Sequence, residues 1–259
     1  YRFNDAAQGA YEYFWSDFCD WYIEAAKLTL GGADEEAKDR KASLLLHVLS
    51  ESLKLLHPFL PFVTEEIYQK LPQHGASIVV ERYPEARETR RDERVQERFA
   101  RVQELVRAVR TVRSEFTIPT DRPLPVTVVA EGAAGSAFRD HAALISLLTG
   151  CPQLTVAAAL RGKERRGSIP VAGSGFEAFI HIREAIDLDK ETARLRKELS
   201  GLEQAVPRAA AKLANPAFVG KAPAEVVAKE RSRLAELEAR RDKIAGYVGD
   251  LAGGPGPRA

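Results

Sequence analysis

No methionine occurs anywhere in the chain, which begins at Tyr1, so we expect a piece of a longer protein. The two cysteines, Cys19 and Cys151, are far apart and form no CxxC pattern. That excludes a disulfide framework and a Cys-rich zinc site, and it fits a reducing compartment such as the cytoplasm. No apolar run approaches the ~18 residues of a membrane span, and no leader pattern of charge, apolar run and cleavage site opens the chain. His47, His57, His74, His141 and His181 show no metal-ligand spacing and no HExxH. Gly173-Ser174-Gly175 lacks the strand-to-helix setting of a phosphate loop and reads as a hairpin turn. No nucleophile and base pair emerges from the serines and cysteines. We therefore expect no active site, metal or cofactor within this chain.

What is present is charge with a gradient. The net charge is +1, yet residues 1–75 are acidic, with seven Lys and Arg against twelve Asp and Glu. Residues 82–122 carry eleven against eight, and residues 186–248 thirteen against ten. The run Arg161-Gly162-Lys163-Glu164-Arg165-Arg166 is also basic. Positive charge after residue 80 points to a polyanionic partner. By itself it fits equally well with charged helices that are simply solvated.

Periodicity supplies the architecture. Asn4-Asp5 are placed to cap a first helix running to Leu30, with Ala7, Tyr11, Phe14, Trp15, Phe18, Trp21, Tyr22 and Ala25 at helical spacing. Gly31-Gly32 stop it. A second helix is expected over 35–56, with Leu45, Leu49, Leu53 and Leu56 as its buried stripe and Pro58 ending it. A short third helix follows Pro61, with Thr64 as a cap. Residues 77–84 look extended. A long helix over 88–115 carries Val95, Phe99, Val102, Val106, Val109 and Val112 at steps of three and four. A strand over 124–130, a helix over 136–148 and a strand over 153–159 allow a parallel pair. Residues 168–172 and 176–182 read as a hairpin.

The last segment has the clearest pattern. Leu188, Leu195, Leu199, Leu202, Val206, Ala209 and Leu213 lie on coiled-coil steps. So do Val227, Glu230, Leu234, Leu237, Arg241, Ile244 and Val248. Between them lies a turn rich in helix breakers, so the two helices must fold back antiparallel into an arm about 40 Å long. Pro207 inside the first helix predicts a kink. The expected fold class is mainly α. It comprises a helical bundle over 1–76, a small α/β subdomain over 77–185, an antiparallel two-helix coiled coil over 186–249 and a disordered tail over 250–259.

Three stretches carry a family resemblance. Tyr1-Arg2-Phe3-Asn4 with Phe18-Cys19-Asp20-Trp21-Tyr22, and Leu56-His57-Pro58-Phe59-Leu60-Pro61-Phe62-Val63-Thr64-Glu65-Glu66, resemble the helical anticodon-binding domain of class I synthetases for valine, isoleucine and leucine. The third is Asn215-Pro216-Ala217-Phe218-Val219 with Lys221-Ala222-Pro223, Val226-Val227 and Glu230-Arg231. It resembles the coiled-coil tip of bacterial valyl-tRNA synthetases specifically. Val109-Arg110-Thr111-Val112-Arg113-Ser114-Glu115 also fits the group. The resemblance implies a bundle that reads the anticodon, an α/β unit on the stem side and an arm on the outer corner of tRNA(Val). It implies a monomer, with no DNA or membrane partner. The HIGH-like and KMSKS-like signatures of the family are missing here, so ATP, Mg²⁺ and valine activation are expected in a catalytic domain outside this chain. Pro207 departs from the family arm.

Gripping tRNA outside the anticodon means holding phosphate and ribose, because the A-form major groove is too narrow to read. Lys190, Arg194, Lys197, Arg208 and Lys212 fall near one stripe of the first arm helix, and Lys229, Arg233, Arg240 and Lys243 make a row on the second. Lys221 sits in the turn. The competing reading is a set of flanking charges paired across the coiled coil, with Glu198, Glu203 and Glu238 as partners. Arg241, on a seam position, would be snorkelling or paired. On the anticodon side the candidates are Arg2, Asn4, Arg110 and Arg113. Arg113 projects close to an apolar stripe, so a carboxylate partner is expected for it. A coiled-coil interaction module without an RNA partner is the alternative function.

Overall fold

The computed structural model describes residues 2–86, 88–159 and 167–252, without the side chains of Arg90, Lys221 and Ala252. The basic run 161–166 lies outside the described residues, as do 253–259 of the expected tail. Contacts divide the chain into two units, Tyr1–Glu93 and Arg94–Ala259. The boundary expected after residue 76 thus falls inside the first unit.

In the first unit, one continuous helical stretch comprises α1 (Phe3–Glu12), a π-helical segment (Tyr13–Ile23) and α2 (Glu24–Leu30). It ends at Gly31 as the sequence indicates. Asn4 does not cap it. The N-cap is Arg2, and Asn4 lies inside the first turn. The π-helical hydrogen bonding, i to i+5, shifts the phase of the side chains. Phe18 and Trp21 are buried, while Tyr11 and Trp15, which share their helical spacing, are exposed. Asp34 caps α3 (Glu35–Leu56), its Oδ1 accepting from Ala37 N at 3.0 Å.

Leu60, not Thr64, precedes α4 (Pro61–Tyr68) as its N-cap. Thr64 is buried, its hydroxyl donating to Leu60 O at 2.8 Å and lying 2.7 Å from His57 Nδ1. Leu53, Tyr68, Leu71 and Ile78 form a buried cluster. Residues 77–84 are not simply extended, because Ile78–Val80 is a 3₁₀ turn. It is held by Glu65, whose carboxylate accepts from Ser77 Oγ (2.9 Å) and Ile78 N (3.0 Å).

The second unit begins with α5 (Glu93–Glu115), which buries Val102, Leu105, Val106, Val109 and Val112. Strands β1 (Val126–Val129), β2 (Leu154–Ala157), β3 (Ser168–Gly173) and β4 (Phe176–His181) form one sheet in the order β2-β1-β4-β3. The β1–β2 pair is parallel, with Val126 opposite Leu154, and the β3–β4 hairpin is antiparallel. The single helix expected between β1 and β2 is two helices, α6 (Gly132–Asp140) and α7 (Ala142–Thr149), divided at His141. Gly150, at φ 64°, closes α7 in the left-handed conformation that glycine accepts without strain.

The arm leaves the sheet after β4. Asp187 caps α8 (Leu188–Ala214), and α10 (Ala224–Ala252) returns beside it. The breaker-rich turn contains a short helix, α9 (Pro216–Lys221). Asn215 caps it, its Oδ1 accepting from Ala217 N at 3.0 Å, and Pro216 occupies the first position, where no N–H is needed. α8 continues through Pro207, which is exposed. α10 extends to Ala252, so residues 250–252 are helical rather than tail. Among the described residues no helix is long and apolar enough to cross a membrane.

Candidate nucleic-acid interface

The arm is closed by its own seam. Leu195 and Val206 of α8, and Val227 and Ile244 of α10, are buried. Two ion pairs set the register between the helices. Arg240 donates to Glu198 at 2.8 Å, and Lys212 donates to Glu230 at 2.7 Å. Pairing 198 with 240 and 212 with 230 brings Arg208 near the level of Arg233.

The basic row read from the sequence divides into two classes. Arg194 is bonded to Glu191 (2.5 Å) and Glu198 (3.0 Å), which raise its pKa, with the Glu191 hydrogen bond the larger cause. Arg240 shares Glu198 with it. Lys212 meets Glu230 and also lies over the Phe218 ring, 4.8 Å from its centroid. The Lys212 hydrogen bond holds the Glu230 carboxyl below its ordinary range. Lys243 pairs with Glu115 of α5. Of the expected partners only Glu198 serves, beside Glu191, Glu230 and Glu115. Arg241 pairs with Asp242 at 2.7 Å.

Lys190, Lys197, Arg208, Lys229 and Arg233 form no side-chain hydrogen bond or ion pair among the described residues, and all are exposed. Arg196 and Arg231, which the row omitted, have the same standing. They lie on the opposite flank of the seam from Arg194 and Arg233, so the row pattern did not reveal them. At 3.6 residues per turn, Lys190, Lys197 and Arg208 lie within about 20° of one another on the face of α8 opposite the seam. Lys229 and Arg233 stand one turn apart on one flank of the α10 seam. The side chain of Lys221 lies outside the described residues. The paired cations are not lost to a polyanion. Their side chains are 42–47% exposed, and an exposed ion pair is worth only about 0–1 kcal/mol, so a phosphate can exchange for the carboxylate.

Arg110 and Arg113 serve a different purpose. Arg113 is buried and meets no carboxylate among the described residues. Its guanidinium donates to four backbone carbonyls, those of Thr149 (2.7 Å), Pro119 (2.8 Å), Arg122 (3.0 Å) and Gly150 (3.1 Å). Burial lowers its pKa, partly offset by Cys151 and Asp121. Arg110 Nε donates to Leu148 O at 3.0 Å. Both arginines therefore satisfy carbonyls at the C-terminal end of α7, where the helix leaves acceptors unpaired and favours positive charge. A groove of about 750 Å³ lies beside them, lined by Ser114, Thr117 and Thr120 among others. The carboxylate expected beside Arg113 is thus replaced by backbone carbonyls, an arrangement that gives this arginine a structural role.

In the first unit Arg2 is paired with Asp5 and 88% exposed. Asn4 is exposed within α1. The exposed rings of Tyr11 and Trp15 lie nearly parallel, at 2° and 6.4 Å between centroids. That is a surface on which an unstacked base can lie. No group of three or more potential metal ligands occurs among the described residues.

Comparison with known proteins adds two family matches. Residues 1–128 match the anticodon-binding domain of tRNA ligase, and residues 187–252 match the valyl tRNA synthetase tRNA binding arm. The chain is 43% identical over 257 residues to a valine–tRNA ligase of Treponema denticola, covering 96% of this chain and 28% of the relative. It is 37% identical to the enzyme of the same name from Bacillus cereus (97% and 28%) and 34% identical to that of Bacillus subtilis (98% and 29%). The chain thus spans less than a third of the length of these relatives.

Proposed function

This chain belongs to the valyl-tRNA synthetase family, in the C-terminal region that carries the anticodon-binding domain and the tRNA-binding arm, and from that premise we propose that it binds tRNA(Val) through two surfaces. The first unit takes the anticodon side, with Arg2, Asn4 and the Tyr11–Trp15 rings as contacts. The arm takes the outer corner of the tRNA by its backbone. Attachment of valine, with ATP and Mg²⁺, belongs to the remaining two thirds or more of the parent enzyme. The protein works as a cytoplasmic monomer with no DNA or membrane partner.

The observation that carries the reading is the arm's outer row. Lys190, Lys197, Arg208, Lys229 and Arg233 are exposed and have no hydrogen-bonded or ion-paired side-chain partner among the described residues, the first three on the face of α8 opposite the seam and Arg233 beside it. Phosphate contacts release counterions, so affinity must fall linearly in a plot of log K against log salt. Filter binding of tRNA(Val) and a non-cognate tRNA across a salt series tests this. Replacing Arg208, Lys229 and Arg233 together by Ala should flatten the slope by about two to three units. Absence of tRNA binding at low salt would overturn the proposal. Chain association in sedimentation would then favour a coiled-coil interaction module.

A further inference from the structure

An arm about 40 Å long amplifies any movement at its root, since a rotation of about 10° displaces the far end by about 7 Å. α8 is joined to the sheet by a single turn, in which Ala185 N and Ile186 N both donate to Ile182 O (3.0 and 3.2 Å) before Asp187 caps the helix. One short covalent connection does not define a direction in space. The second tie comes from the other helix. α10 returns to pack against β3, and near its end it meets α5. There Glu115 receives two bonds, from Lys243 Nζ and from Tyr247 Oη, one on each carboxylate oxygen. The Tyr247 ring packs on Phe116 at 5.1 Å, and Ile244 between the two donors is buried. Glu115 is itself only 17% exposed. Burial, then the bond to Glu115, pushes the Tyr247 phenol well above its ordinary range, so it remains a donor at any physiological pH.

We propose that Glu115 is a positioning residue for the arm. By holding Lys243 and Tyr247 it fixes the direction in which α8 and α10 leave the α/β unit, and hence where the unpaired cations stand. The positional part of the inference rests on geometry alone, and its consequence for RNA rests on the function proposed above. Lys243 accordingly acts at the root of the arm before it acts as a phosphate contact. Glu115 lies on α5, far in sequence from the arm, and both of its oxygens are tied to α10, whereas the two-oxygen tie of Glu198 joins the arm's own helices.

Spin labels at Ala133→Cys on α6 and Ala217→Cys in α9, both exposed positions, read the arm's direction by pulsed electron resonance in this chain carrying Cys19→Ser. The distance distribution should be narrow in the parent chain and at least double in width in Glu115→Lys and in Lys243→Glu. The charge swap Glu115→Lys with Lys243→Glu should narrow it again. Tyr247→Phe keeps the ring on Phe116 and should give an intermediate width. This milder variant remains informative if a charge reversal lowers helix content in circular dichroism. An unchanged width in Tyr247→Phe and in both single reversals overturns the proposal. So does broadening that the charge swap fails to reverse. Affinity for tRNA should fall several-fold in Glu115→Lys and recover in part in the swap. A chain with normal distances that binds no RNA would sink the RNA reading while leaving the positioning role standing.

Discussion

At Arg113 a full positive charge lies beneath the surface, hydrogen-bonded to four backbone carbonyls and to no carboxylate among the described residues. A buried carbonyl that loses its donor costs about 1–3 kcal/mol, so Arg113→Met should destabilise the second unit by about 3 kcal/mol or more. A shifted urea midpoint with unchanged slope would show it, and a loss under 1 kcal/mol would contradict this account. Arg113→Lys should recover only part, because three donors on one nitrogen cannot reach four acceptors spread over two segments.

Asp250 near the end of α10 behaves in the opposite sense. Burial raises its carboxyl to about 6 from an ordinary 3.8. A carboxyl raised in the folded state binds more protons there than when unfolded. Stability is therefore highest below about pH 4 for this group, falls as pH rises from 4 to 6, and stays reduced above 6. Asp250→Asn should stabilise the arm at neutral pH by about 1 kcal/mol, the shift being discounted for partial exposure, and the gain should vanish near pH 4. Thermal melts at the two pH values measure the difference.

Among the elements, α8 is the one whose sequence contradicts its structure. Pro207 has no N–H to give Glu203 O and still lies within the helix. It is tolerated because Pro207 faces solvent while Val206, beside it, is buried in the seam. Packing against α10 outweighs the local loss, as tertiary contact commonly does over intrinsic propensity. Pro207→Ala should raise the melting temperature of the arm, by up to about 3 kcal/mol in stability. No change would mean that the helix is already broken there in solution. The first helical stretch teaches a complementary lesson. Its apolar spacing identified a helix but not its hydrogen-bonding pattern. Tyr11 in α1 and Trp15 in the π-helical segment face outward, and nothing in the spacing of those residues forecast it.

Across the whole molecule, the two matched families cover different parts of the charge gradient. The anticodon-binding match begins in the acidic first unit and runs on to residue 128 in the second, and the basic segment from residue 187 onward carries the arm match. Ending the chain after Ile186 should therefore weaken tRNA binding broadly, for cognate and non-cognate tRNAs alike. Any preference for tRNA(Val) should persist with the remainder. A truncation that abolished preference while keeping affinity would reverse these assignments.

Helix positions, the β3–β4 hairpin and the antiparallel arm were legible in the sequence because each depends on contacts local in the chain: apolar repeats, Gly and Pro stops, and a turn too short to do anything but reverse direction. The family was legible because its tip motif is local as well. The function of each charge was not. Whether Arg194 and Lys243 are paired while Lys197 and Arg208 stay open depends on which carboxylates the helix register and the neighbouring α5 bring within reach. Those partners lie between 3 and 128 residues away. Arg113 looked like a cation in need of an acid and proved to hold four carbonyls together, because two loops distant in sequence converge on it. The sequence alone determined that there is an arm and that it is basic. Only the tertiary structure decided which of its charges are open to a partner, because ion pairing is set by proximity in space, which heptad spacing does not encode.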